Sequence, residues 1–450
     1  MLSFLNQVCD QLNMRWAWEK VKRASVPGDI WIDEADLAHF EVHLGHELQS
    51  LCDDLRSGKF RMSPIRPMAF PKNPDGEGKP RVRQYFHFTV RDQVAWTAVV
   101  NVLGPYVDEQ MPVWSYGNRL FRSTWIEEDI HGDKRRKVGP YRHSSGRIYR
   151  PFQQAWPIFR RHIALAVSAA TCGHSKAGNL DDDEHEELGL QHRMDRADQC
   201  PFVLADYWTS LPTDFARDDI YWASVDLEKF YPSIPLTACI DAISQSVPAE
   251  LCPEVQSLLK TLTQLPLNLD GWTDAELKHI ELDESRKTFR RIPTGLMVSG
   301  FLANAALRLV DQEVQQTLPR GRVAHFRYVD DHVILAKTFE ELMKWICHYK
   351  NLIDRLGSGA SINPAKTEPK ALGDLLGTSD ASKCLAGSEL WNRAKDECRL
   401  DPEFPTPLMT KTIALVSAIG NRQDRLHCAR RQRTLNLVAA ARASTPRGCS

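Results

Sequence analysis

Two adjacent carboxylates, Asp330 and Asp331, stand at the centre of Ala324-His325-Phe326-Arg327-Tyr328-Val329-Asp330-Asp331-His332-Val333-Ile334-Leu335. Apolar, β-prone runs flank them on both sides, so the stretch predicts a strand, a tight turn and a returning strand. Neighbouring like charges repel, and binding a divalent cation is the commonest reason for a fold to keep them at a turn. Mg²⁺ takes oxygen ligands, typically one or two carboxylates plus substrate phosphates. The other reading of the pair is a polar hairpin tip. A third carboxylate, Asp226, ends a second short apolar run, Ala223-Ser224-Val225-Asp226, and Leu227-Glu228-Lys229-Phe230-Tyr231-Pro232-Ser233-Ile234 follows it. Roughly 100 residues separate Asp226 from Asp330, enough chain for a helical excursion and a return to a neighbouring strand. Three carboxylates on two strands suit two cations, one lowering the pKa of an attacking hydroxyl and the other neutralising a leaving group.

Two further segments fall in order with these. Arg291-Ile292-Pro293-Thr294-Gly295-Leu296-Met297-Val298-Ser299-Gly300-Phe301-Leu302-Ala303-Asn304 lies between the carboxylates, and Ile362-Asn363-Pro364-Ala365-Lys366-Thr367 follows them. The set resembles the reverse transcriptase family. Tyr328-Val329-Asp330-Asp331 is similar to its YxDD box, and Asp226 with Tyr231 five residues on resembles its first palm motif. The two further segments resemble its second and fourth. Upstream, Phe70-Pro71-Lys72, Gly78-Lys79-Pro80-Arg81-Val82-Arg83 and Phe88-Thr89-Val90-Arg91-Asp92-Gln93 resemble the fingers hairpin of the bacterial lineages. Ser115-Tyr116-Gly117-Asn118-Arg119 is similar to the element that ends the fingers in intron-type and retron-type enzymes.

The resemblance implies an RNA-directed DNA polymerase that adds deoxynucleotides to a 3′-hydroxyl by two-metal catalysis. On that pattern Asp226, Leu227, Asp330 and Asp331 hold Mg²⁺, with Mn²⁺ as an alternative, and Lys366 is a general acid on pyrophosphate. Lys72 and Arg83 grip the incoming triphosphate, Arg by its fork and Lys as a point charge. Tyr231 lies under the sugar and excludes a 2′-hydroxyl, and Gly295 makes a turn close to the template base pair. Other readings stay open: a solvated charged hairpin for Lys72 and Arg83, a core aromatic for Tyr231, and a plain turn for Lys366. Thr294 stands where the family usually has Gln. The implied partners are an RNA template, a DNA product and dNTPs, with a homo- or hetero-oligomer left open. The chain shows no endonuclease, integrase or ribonuclease H signature, which resembles the stand-alone enzymes of antiphage defence that work with a dedicated non-coding RNA. An RNA-directed RNA polymerase and a catalytically dispensable RNA-binding scaffold are the alternatives.

The elements that must position these residues predict an α+β protein. The resemblance makes it a right-hand polymerase fold, with fingers and an antiparallel palm sheet packed on helices. Residues 1–58 read as a helical N-terminal cap, with Leu37, Phe40, Leu44, Leu48 and Leu51 at helical spacing. Residues 59–125 read as fingers and 220–375 as palm. Residues 126–219 read as an insertion with a basic loop at 134–137, a helix around Trp156 to Leu165 and an acidic loop at 181–187. A single amphipathic helix is expected from Ser299 to about Leu318, with Leu302, Ala305, Ala306, Leu309 and Val310 on its apolar face. Residues 376–450 read as a short or incomplete helical thumb. From Asn421 on there are seven Arg, no Lys and one acid, which fits a basic nucleic-acid-binding tail or a truncated terminus.

Net charge is −1, which argues against a uniformly basic nucleic-acid binder; the positive charge is instead local, 19 Lys/Arg against 9 Asp/Glu between Lys59 and Arg161. Eleven cysteines without a CxxC pair read as reduced thiols of a cytoplasmic protein. No apolar run is long enough to span a membrane.

Overall fold

Ser3, Asp10 and Asp33 each accept backbone N–H groups from the residues that follow, and each starts a helix: α1 (Phe4–Val8), α2 (Gln11–Ala24) and α3 (Glu34–Val42). The structure is a computed structural model that describes residues 3–25, 33–72, 81–128, 134–141, 144–172, 200–203, 205–209, 220–280, 282, 287–364 and 367–371. Lys366, the acidic loop at 181–187 and the region 376–450 lie outside the described residues.

After α4 (Leu44–Arg56) the chain forms an antiparallel hairpin, β1 (Arg66–Lys72) and β2 (Arg81–His87), in which Phe70 faces Arg83 and Lys72 faces Arg81. Helix α5 (Val90–Asp108) follows, capped by Thr89 and buried on nearly all sides. A helix apolar all round belongs in the middle of a fold. The N-terminal helices close over it: Asn13 on α2 donates to the Ala98 carbonyl at 3.0 Å, and Asp36 on α3 accepts the Val90 N–H at 2.7 Å.

A second hairpin, β3 (Arg122–Glu128) and β4 (Lys134–Tyr141), occupies the stretch expected as a basic loop. The register gives the reason. Glu127 sits opposite Arg135 and Glu128 opposite Lys134, so two of the four bases stand across the ladder from an acid, while Arg136 and Lys137 stand opposite Ile126 and Trp125. Then come α6 (Phe152–Cys172) and the short α7 (Asp206–Thr209).

The main sheet begins with β5 (Tyr221–Glu228) and is completed only after a helical excursion. That excursion is α8 (Phe230–Ser233), α9 (Leu236–Ser244), α10 (Cys252–Leu262), β6 (Leu265–Pro266), α11 (Asp274–His279), β7 (Thr288–Phe289), α12 (Ser299–Ala306) and α13 (Arg308–Gly321). The single helix expected from Ser299 is thus two. Every residue of α12 is buried, whereas α13 is amphipathic, and the break at Leu307 lets one thread the core while the other follows its surface; Leu309, expected inside, is 37% exposed. Strands β8 (Val323–Tyr328) and β9 (Asp331–Ala336) form the expected hairpin, followed by α14 (Phe339–Leu356), β10 (Ser361–Ile362) and β11 (Glu368–Ala371). All pairings are antiparallel, in the order β10-β5-β9-β8, with β11 sharing the β10 edge of β5.

Directly opposed residues share a face of a sheet, so the register sorts the side chains. Asp226, Asp331 and Tyr328 form one row, and Ser224, Val333 and Phe326 lie behind them on the same face. Arg327, His325 and His332 point to the other face, against α13 and α14. There Trp345 Nε1 donates to His325 Nδ1 at 3.1 Å, and Tyr349 lies against His332. Among the described residues no helix is long and apolar enough to cross a membrane.

Candidate active site

The turn between β8 and β9 carries the paired carboxylates, and the register delivers the third. Asp226 and Asp331 are direct partners across β5 and β9, and the Leu227 N–H donates to the Asp330 carbonyl at 3.3 Å. Asn363, from the fourth motif, ties in beside them. Its N–H donates to the Asp226 carbonyl at 2.9 Å, and its side-chain amide lies 3.4 Å from Asp226 Oδ2. Leu227 has a buried side chain, so its backbone carbonyl is the oxygen it can offer a cation.

Val329, in the turn, has φ +60°. A β-branched residue there is a true outlier, at a cost of about 1–3 kcal/mol that the surroundings must hold. They do so from below and from the side. The buried Arg327 guanidinium donates to Asn304 Oδ1 at 3.0 Å and to the Val329 carbonyl at 3.3 Å, and pairs with Asp311 on α13. Burial pushes the Asp311 carboxyl up against the pull of that guanidinium. The Arg327 backbone bonds to Trp114 and Tyr116, and Asn304 donates to the Gly117 carbonyl at 3.0 Å. Gly117 needs to be glycine: a Cβ there would stand 2.5 Å from Val329 Cγ2 and 2.6 Å from Val329 N.

Tyr231 brings the nucleotide-binding candidates to the same place. Its hydroxyl accepts from Asn118 at 3.3 Å, and burial, helped by the charge of Asp330 and opposed by that of Arg83, pushes it up to about 12. Arg83, exposed on β2, is therefore close enough to act on Tyr231. Gly295 sits at φ +109° with the Phe86 carbonyl 2.2 Å from where a Cβ would be, and Phe86 N–H donates to the Thr294 carbonyl at 2.8 Å. The β1–β2 hairpin and the second motif are thereby joined. Lys72 ends β1 opposite Arg81; its side chain, like the whole of Lys366, is outside what is described.

Several contributors were given no role of their own by the sequence reading. Gln93, fully buried on α5, accepts from Met297 N at 2.9 Å and donates to the Gly295 carbonyl at 2.8 Å, locking the second-motif turn. Arg327, Asp311 and Asn304 brace the carboxylate turn as described. Arg119, by contrast, spends its guanidinium on Asp108 and on the Pro112 and Ser115 carbonyls, so its place is in the scaffold. Helix α6, expected within an insertion, packs on the site: Phe159 and Trp156 lie 5.5 and 4.8 Å from the Tyr328 ring.

Among the described residues no group of three or more His, Cys, Asp and Glu side chains forms a ready-made metal cage. The donor set still fits Mg²⁺, which is held by one or two carboxylates with substrate phosphates more often than by an all-protein cage. Asp226 and Asp331 face each other as hard oxygen donors, with Asp330 adjoining.

Residues 209–382 match the family model described as reverse transcriptase (RNA-dependent DNA polymerase), a span that contains β5, the β8–β9 hairpin and all four motifs around them. No curated protein matches the chain. A match of this kind implies a polymerase fold with palm and fingers, a divalent metal ion, an RNA template, a DNA product and dNTP substrates. The matched span indicates that the protein is an RNA-directed DNA polymerase, a nucleotidyltransferase.

Proposed function

We propose that this polymerase extends a primer 3′-end by two-metal catalysis, with Asp226, the Leu227 carbonyl, Asp330 and Asp331 as the metal-holding groups. The observation that carries the proposal is the single row Asp226–Asp331–Tyr328, with Asp330 on the adjoining turn. Bound metal ions would supply a lowered pKa for the primer hydroxyl and charge neutralisation for the leaving pyrophosphate. The protein's own residues do the rest. Arg83, with Lys72, orients the triphosphate, and Lys366 delivers a proton to the departing pyrophosphate. Tyr231, protonated at neutral pH, gives the sugar a flat floor that leaves no room for a 2′-hydroxyl. Gln93 and the Gly295 turn hold the template side in register. The resemblance to stand-alone bacterial enzymes extends the proposal to antiphage defence, with a dedicated non-coding RNA as template or partner.

The test is incorporation of labelled nucleotide by purified protein, with and without its co-purified RNA, in Mg²⁺ with dNTPs or NTPs. Deoxynucleotide incorporation that disappears in Asp330→Ala/Asp331→Ala supports the proposal. Incorporation unaffected by that variant, or a preference for NTPs, overturns it. Sequencing the product identifies the template.

A further inference from the structure

Helix α2 carries four bases, and two of them are paired: Arg15 with Glu19 and Lys22 with Glu41. Lys20 and Arg23 pair with no carboxylate among the described residues, and they come together at one place. Lys20, 4% exposed, donates to Asn101 Oδ1 on α5, and the Asn101 amide is itself held by Asn13 Oδ1 at 3.0 Å. An ammonium has three donors, so one neutral acceptor leaves two of them without a protein partner among the described residues. The Arg23 guanidinium lies over Gly146, where a Cβ would stand 2.7 Å from its Nη1.

Lys20 faces a small cavity between α2, α5 and the segment after β4. Its wall includes Asn101, Tyr141, Ser145 and Arg147, is otherwise apolar, and contains no Asp or Glu. Arg147 is exposed and, like Arg23, pairs with no carboxylate among the described residues. Asp108 bonds to the Tyr141 hydroxyl in that wall, but its oxygens are already filled by Tyr141, Arg119 and the Leu120 N–H. Burial pulls Lys20 down only to about 8, so it remains a cation at neutral pH. An ammonium kept in the interior without a counterion costs stability, and a bound anion removes that cost. The cavity volume, about 270 Å³, falls short of the roughly 300–1,000 Å³ of pockets that enclose a drug-sized ligand.

We propose that this cavity is an anion site for one phosphate group, with Lys20 as its buried cation and Arg147 and Arg23 at its mouth. Three cations without a counterion match a phosphate dianion better than chloride or a single carboxylate, and guanidinium forks suit its paired oxygens. The volume admits the phosphate and leaves a nucleoside outside. The group is therefore either a free anion or one link of a nucleic-acid backbone that passes the mouth. The site shares no residue with the carboxylate row, and the inference does not rest on the polymerase reading.

Thermal unfolding of the full-length protein in inorganic phosphate, against chloride and acetate at equal ionic strength, reads the free anion. Fluorescence anisotropy of a short labelled RNA, with and without phosphate, reads the backbone. Both are run on wild type, Lys20→Met and Arg147→Ala; Arg147 is exposed, so its variant keeps the fold and carries the test even where Lys20→Met does not fold. The expected result is a Tm that rises with phosphate and not with chloride or acetate, and a phosphate affinity about tenfold weaker in the variants. A free-anion site leaves RNA affinity unchanged in Arg147→Ala. A backbone site lowers RNA affinity in that variant and lets phosphate compete with RNA in wild type alone. No phosphate-specific rise in wild type means that the cavity holds only water, and an equal rise in Arg147→Ala means that phosphate binds elsewhere; either result overturns the site.

Discussion

Replacing Arg327 with Met keeps the length and bulk of the side chain and removes its charge from beneath the carboxylate turn. Asp311, 2% exposed, then loses the guanidinium it pairs with and keeps only the weaker pull of Arg119. An isolated buried carboxylate takes up a proton, and the cost of doing so sets the magnitude. From an unfolded pKa of about 3.9, holding the group protonated at pH 7 costs about 4 kcal/mol, at 1.36 kcal/mol per pH unit, and this is the upper bound of the deficit because burial already raises Asp311 beside Arg327 in the wild type. The figure agrees with the 3–5 kcal/mol typical of breaking a buried ion pair. The pH dependence is the signature. Asp311 in the variant has a folded pKa raised above its unfolded value, so the deficit shrinks as pH falls, to about 1.5 kcal/mol at pH 5. Urea titrations of wild type and Arg327→Met at pH 7 and pH 5 measure both values. The double variant Arg327→Met/Asp311→Leu, with an apolar pair in place of the charges, should regain most of the stability. It should still polymerise poorly, because the Val329 carbonyl has lost its donor at the turn. A deficit below about 1 kcal/mol at pH 7, or one that does not change with pH, refutes the reasoning.

The His325–His332 pair, fully buried behind the same hairpin, predicts acid sensitivity. Burial holds His325 down to about 3 and His332 well below its ordinary value, so below about pH 6.5 the unfolded chain takes up protons that the folded one refuses. Stability should fall by about 1.4 kcal/mol per pH unit for each histidine, and a denaturation midpoint that stays flat from pH 7 to 5 would contradict this. Gly117→Ala drives a methyl into Val329 and moves the carboxylates. A displacement near 1 Å predicts about a hundredfold loss of incorporation, read against a stability loss of only about 1–3 kcal/mol. Tyr231→Ala should let ribonucleotides in, and a wild type that already uses them equally well removes the gate from Tyr231.

The β8–β9 hairpin and its carboxylates were legible because the signal is local: two alternating apolar runs with acids between them. The β1–β2 hairpin and the start of α5 were legible only through the resemblance of Phe70–Lys72, Gly78–Arg83 and Phe88–Gln93 to a fingers hairpin. What supports them was not. Arg327 reads as one more strand residue until the register puts it on the face over Asp311, and Gln93 reads as a helix residue until the second motif folds against it. Helix α6 was legible as a helix, but Phe152, Trp156 and Phe159 at helical spacing read equally well as core. Only the long-range packing brings them to Tyr328. The strand at Lys134 was hidden because a run of four bases reads as a loop until β3 lies beside it, with Glu127 and Glu128 opposite Arg135 and Lys134 and with Ile126 and Trp125 opposite the other two.

Strand β5 sits inside the sheet although neither of its neighbours is near it in sequence: β9 comes roughly 100 residues later, and β10 and β11 later still. The β8–β9 hairpin can close in microseconds on its own, but Asp226 reaches it only after a long loop has been closed. A chain still emerging from the ribosome can display Asp330 and Asp331 only after the whole excursion from α8 to α13 has been made. It holds Asp226 against them only once β5 has docked, and Asn363 arrives last. Sheets built from such distant pairings form slowly. Until β5 docks, a chain that has closed the β8–β9 hairpin holds only two of the three carboxylates together.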